Sequence, residues 1–136
     1  MSLAACAQTA PALAGFETAE IEVGEETLTV ALAASGEQRS QGLRGVEERP
    51  QGLDGMLFVF ERARRATFGM RDTLIPLDIW WFDSNGELLG STEMEPCPSD
   101  PCPNYGSPGE VAWALETPAG VVDLAPGDML TVVAGS

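Results

Sequence analysis

The chain has no histidine and no lysine: among its 136 residues the only cations are seven arginines, set against 21 carboxylates for a net charge of −14. Without imidazole there is no Ser-His-Asp triad, no Cys-His pair and no zinc site of the usual nitrogen-containing kind. Carboxylate chemistry, thiol chemistry or no chemistry remain. The negative surplus repels phosphate backbones and anionic lipid, both of which bind proteins through cationic side chains that displace counterions. Nucleic acid is therefore not an expected partner. No apolar run reaches the ~18 residues a membrane-crossing helix needs, and a chain of this length fits one domain with its own core.

Cysteine is scarce. Cys97 and Cys102 bracket the short loop "CPSDPC", where two prolines and an aspartate favour a turn that brings the ends within reach of a disulfide. The spacing is not the Cys-x-x-Cys of redox sites, and two sulfurs are too few for a zinc or iron-sulfur centre. A structural disulfide implies an oxidising compartment. Cys6 ends "LAAC", which resembles the bacterial lipobox, the motif after which a lipoprotein precursor is cut and its cysteine lipidated; a chance match of four small residues is the alternative. No charged and apolar leader precedes it, so the chain reads as a mature or recombinant form beginning with a vector-like Met-Ser-Leu. Residues 1–18 are expected to be a flexible tether, and residues 19–136 a single domain.

All seven arginines fall between Arg39 and Arg71, where Glu47, Glu48, Asp54 and Glu61 oppose them; the local balance of +3 leaves −17 for the rest of the chain. Two readings stand: the arginines pair with the acidic surface around them, or they form an anion-binding face around "ERARR", Glu61 to Arg65.

The pattern along the chain is that of short strands. "TAEIEVGEETLTVALA" alternates apolar and polar residues about Gly24-Glu25-Glu26, a hairpin signal. Ser35 to Leu43 predicts one short serine-capped helix ending near Gly45 or Pro50. "GMLFVF", "ATFGM", "LDIWWFD", "ELLGSTEM", "EVAWALE" and a final strand after Gly127-Asp128 follow, with Asn85-Gly86 suited to a two-residue hairpin turn. The expectation is a mainly β domain, a small antiparallel barrel-like or sandwich fold with one or two short helices.

One carboxylate stands out. Alternation puts Asp78 with Trp80 and Phe82 on one face of its strand, amid apolar residues where an unpaired charge is costly. Three readings are open. Asp78 ties down the "RDTLIP" loop or meets Arg71; it anchors a pocket walled by Trp80, Phe82 and Met70; or it works with Glu116 as a hydrolytic carboxylate pair. Met56 and Met70 read as core, not as a soft-metal site.

These residues also carry a family resemblance. Gly55-Met56-Leu57-Phe58-Val59-Phe60, then Phe68-x-Met70-x-x-Thr73-x-x-Pro76-Leu77-Asp78-Ile79, Phe82-Asp83-x-x-Gly86, Leu115-Glu116 with Ala119-Gly120, and Gly127-Asp128 resemble the bacterial and archaeal family called domain of unknown function 192. The resemblance implies a small, mostly β, barrel-like domain, often exported or membrane-tethered, with no established reaction. Asp72 stands where the family usually has Asn, Arg44 follows Gly42-Leu43 where Met is usual, and Trp80-Trp81 replaces smaller apolar residues. The expected function is a non-enzymatic module of the cell envelope, periplasmic or extracellular, binding a small ligand or a partner at Met70, Asp72, Thr73, Asp78, Trp80 and Glu116. A hydrolase using Asp72, Asp78 or Glu116, and a purely structural or interaction protein, are the alternatives. Neither cofactor nor metal is expected, and membrane attachment only through lipid on Cys6.

Overall fold

Alternating residues build the first hairpin. In β1 (Thr18–Val23) and β2 (Glu26–Ala33), Ile21, Val23, Leu28 and Val30 are buried while Glu20, Glu22, Thr27 and Thr29 face out, and Val23 lies opposite Glu26 across the turn. The structure, a computed structural model, describes residues 11–46 and 52–135; Cys6 and the first ten residues of the expected tether lie outside that range. Ser35 caps helix α1 (Gly36–Gln41) in a reciprocal capping box with Gln38, as the sequence predicts, but the helix stops at Gly42, earlier than Gly45 or Pro50.

The segment carrying α1 returns the chain so that β3 (Gly55–Arg64) lies parallel to β2. This pair departs from the expected all-antiparallel sheet because a crossover through a helix replaces a hairpin. β4 (Thr67–Phe68) pairs with β7 (Tyr105–Gly106) in a separate two-stranded sheet. β5 (Leu77–Phe82), β6 (Leu88–Met94), β8 (Val111–Pro118) and β9 (Leu130–Gly135) complete a seven-stranded sheet in the order β6-β5-β8-β3-β2-β1-β9. Its two edges meet at one end: Glu87 bridges Met129, Leu88 N–H donates to Asp128 O at 2.9 Å, and Leu130 N–H donates to Gly86 O at 2.8 Å. The result is a curled half-barrel, mainly β with one short helix.

The turn between β5 and β6 is longer than the two-residue hairpin expected at Asn85-Gly86. Gly86 alone has positive φ (86°), and Asp83 Oδ1 accepts from both the Asn85 and Glu87 N–H groups at 2.9 Å. A Cβ on Gly86 would lie 2.8 Å from Leu130 O, so glycine here serves the approach of the two edges.

The central strands are buried on both faces. One cluster draws on every strand of the large sheet, with Ile21, Val30, Leu57, Phe82 and Leu115 among its members, and fills the curl. The other lies on the opposite face, where Met56, Phe58, Ile79 and Trp81 are covered by Leu43, Val46 and Met70. Leu13 also joins this second cluster at 1% exposure, and the Gln41 side-chain amide donates to Ala12 O. Expected as tether, residues 11–13 instead form a 3-10 turn, since burying one leucine contributes about 1.5–3 kcal/mol. Cys97 and Cys102 are joined in a disulfide with Cα atoms 5.9 Å apart, worth about 2 kcal/mol on loop-closure entropy.

Candidate functional site

The arginines converge. α1 and the turn after it carry Arg39 and Arg44, the far end of β3 carries Arg64 with Arg65 just beyond it, and Arg71 precedes β5; all five line one open cleft of about 830 Å3. Apolar walls come from Leu43, Phe58, Phe60 and Phe68. The Phe68 ring meets those of Phe58 and Phe60 edge-on, with centroids 5.3 and 6.4 Å away, making a continuous aromatic strip. The guanidinium groups of Arg39 and Arg64 sit 5.3 and 4.8 Å from the Phe60 ring centroid, where the ring's quadrupole favours a cation. Arg39 is fixed further by donating to Ala34 O at 2.7 Å and Val59 O at 2.9 Å.

Pairing with the acidic surface explains little of this cluster. Of the five cleft arginines, Arg71 is the one ion-paired to described residues, at 2.6 Å with Asp100 and 3.8 Å with Asp72. Arg44, Arg64 and Arg65 have no carboxylate partner there, so their charge faces the cleft and solvent. The sequence signal for this face was the confinement of arginine to residues 39–71; what the sequence did not reveal is that α1, β3 and the segment before β5 fold around one cavity.

Glu116 lines the same cleft. It lies in β8 opposite Met56 of β3 and Ile79 of β5, and is 4% exposed with no hydrogen bond to any described residue. Burial raises its pKa from an ordinary 4.5 to about 8, because the charged form is stripped of water. Gly55 lets β8 press close here: a Cβ on it would fall 2.2 Å from Glu116 O. Thr73, buried, lines the cleft as well.

The other expected site residues are elsewhere. Asp78 and Trp80 pair with Thr117 and Leu115, on the sheet face opposite to Glu116. Asp78 is half-buried and accepts from Gly120 N–H at 2.9 Å, so the loop it holds is the one after β8, not "RDTLIP". Trp80 Nε1 donates to Thr117 Oγ1 at 3.1 Å. Met70 is fully buried in the core, and Asp72 is exposed at φ 61° beside Arg71. Asp78 and Glu116 therefore cannot act as a carboxylate pair across one substrate, and a pocket shared by Met70, Asp78, Trp80 and Glu116 does not form. Among the described residues no group of His, Cys, Asp and Glu is placed to hold a metal ion.

The described residues form a small, mainly β protein, a curled half-barrel sheet with a cationic cleft on one face. The chain belongs to the DUF192 family, described as uncharacterized ACR, whose model matches residues 19–132. Two solved structures are similar. A Sinorhizobium meliloti 1021 protein described as a candidate transcription regulator is 29% identical with a TM-score of 0.75, covering 86% of this chain and 95% of its own. A protein of unknown function from Novosphingobium aromaticivorans DSM 12444 is 24% identical with a TM-score of 0.76, covering 96% and 97%. No curated protein matches. No helix among the described residues is long and apolar enough to cross a membrane.

Proposed function

We propose that the protein is a binding module for a small organic anion, taken up by the arginine-lined cleft. The observation that carries this reading is the gathering of Arg39, Arg44, Arg64, Arg65 and Arg71 around one cavity in a chain of net charge −14. Guanidinium groups present forked donors suited to carboxylate, sulfonate and phosphate oxygens, while Phe58, Phe60 and Phe68 offer an apolar body a place to rest. Double-stranded DNA does not suit this surface: it demands an extended basic face, and most of the molecule is acidic.

Export to the cell envelope, with an anchor at Cys6, fits the same reading. The Cys97–Cys102 disulfide supports an oxidising compartment, and an envelope module meets small anions outside the cytoplasm.

Fluorescence titration with 8-anilinonaphthalene-1-sulfonate tests the cleft. The wild type is expected to bind it more tightly than the uncharged N-phenyl-1-naphthylamine, and R64E/R65E is expected to weaken sulfonate binding about tenfold or more in a protein that still melts cooperatively. Equal affinity for the two dyes, or indifference to the charge reversals, would remove the anion reading.

A further inference from the structure

We infer that the cleft takes an elongated organic acid carrying a second oxygen acceptor, with its outer oxyanion held by Arg64 and Arg65 and its inner oxygen hydrogen-bonded by the Glu116 carboxyl group. The inference rests on the anion-binding reading above and adds the chemistry of the ligand's inner end.

The strand register sets the two ends apart. Arg64 pairs with Val111 and Met56 with Glu116, so the arginine end and the carboxyl end are separated by the β8 run from Val111 to Glu116, roughly 17 Å at about 3.3 Å per residue. Between them run the rings of Phe58, Phe60 and Phe68, with the Arg39 and Arg64 guanidinium groups over Phe60 at the outer end, an apolar wall that suits a hydrocarbon or aromatic middle. Glu116 is nine-tenths buried, unpartnered among the described residues and part of the cleft lining. Its carboxyl group opens on the cleft, so a guest oxygen can take up the hydrogen bond that no described residue supplies.

Charge decides which partner. A cationic group would be repelled by the five arginines of the same cleft, and Glu116 keeps its proton up to about pH 8. A neutral carboxyl group donates its O–H, and donation to an ionised oxygen is the short, strong kind of hydrogen bond. The other charged groups facing the cleft do not provide this donor. The arginines offer guanidinium N–H groups and no carboxyl O–H, Asp100 is paired with Arg71, and Cys102 is locked in its disulfide.

The test is calorimetric titration with decanedioate and decanoate at pH 7 and pH 10, on wild type and on E116Q, a neutral donor at both pH values. Decanedioate is expected to bind wild type about tenfold or more tightly than decanoate at pH 7, with the advantage gone at pH 10; in E116Q it persists at both. The inference is overturned if wild type shows no diacid advantage at pH 7, if that advantage survives at pH 10, or if 10-aminodecanoate is preferred over both acids. The wild-type comparison stands alone should E116Q not fold. If the naphthalenesulfonate dye binds and responds to R64E/R65E while the diacid gains nothing, Glu116 recognition alone fails; if the dye does not respond either, the anion cleft fails with it.

Discussion

At the residue scale, Glu116 turns a position in the sheet into a pH dependence. Its carboxyl group ionises near 4.5 when exposed and near 8 when folded, so across that window the folded chain holds a proton that the unfolded chain has released. Raising the pH through the window therefore destabilises the fold, by an amount on the order of 5 kcal/mol at most. Below pH 4.5 the group costs nothing, and above pH 8 the whole loss is present. Thermal melts of wild type and E116Q are expected to nearly coincide at pH 5 and to separate by pH 9, with the glutamine protein the more stable. Parallel curves across the range would mean that Glu116 is hydrated or paired in solution.

Elements decide which side chains meet. β5 and β8 present Asp78 and Glu116 to opposite faces, because neighbours in paired strands share a face only when they share a register. Asp78 instead joins the start of β5 to the turn after β8 through Gly120 N–H, and Ala119 N–H donates to Pro76 O at 3.1 Å beside it. Asp78→Ala is expected to cost about 1–2 kcal/mol in urea unfolding, the worth of one charge-assisted hydrogen bond at a half-exposed site, and to leave affinity for 8-anilinonaphthalene-1-sulfonate unchanged. Loss of dye binding in a folded Asp78→Ala protein would return Asp78 to the site.

For the whole molecule, the charge distribution matters more than any pair. A net −14 is carried on the surface of a 14.3 kDa chain, so self-repulsion opposes the compact state and salt relieves it. The melting temperature at pH 7 is expected to rise when NaCl is raised from 10 to 200 mM, and to rise further in R64E/R65E, where each reversal adds two negative charges. A flat or falling response would show that local pairs outweigh the net field. The same imbalance makes the arginine cleft a positive island on an otherwise acidic molecule.

Much was legible in the chain itself. Alternation fixed the strands, Ser35 and Gln38 the helix start, the Cys97–Cys102 spacing the disulfide, and the motifs from Gly55 to Asp128 the family, because each depends on neighbours a few residues apart or on order along the chain. Local alternation points to Asp78 as the buried carboxylate, whereas the fold buries Glu116. Burial is set by which strands cover a face, and that is a property of pairing between distant segments. The parallel β2–β3 crossing, the packing of Leu13 and the gathering of five arginines around one cavity were likewise decided only in three dimensions. Sequence carries periods and spacings, whereas a cavity exists only once segments remote along the chain have been brought side by side.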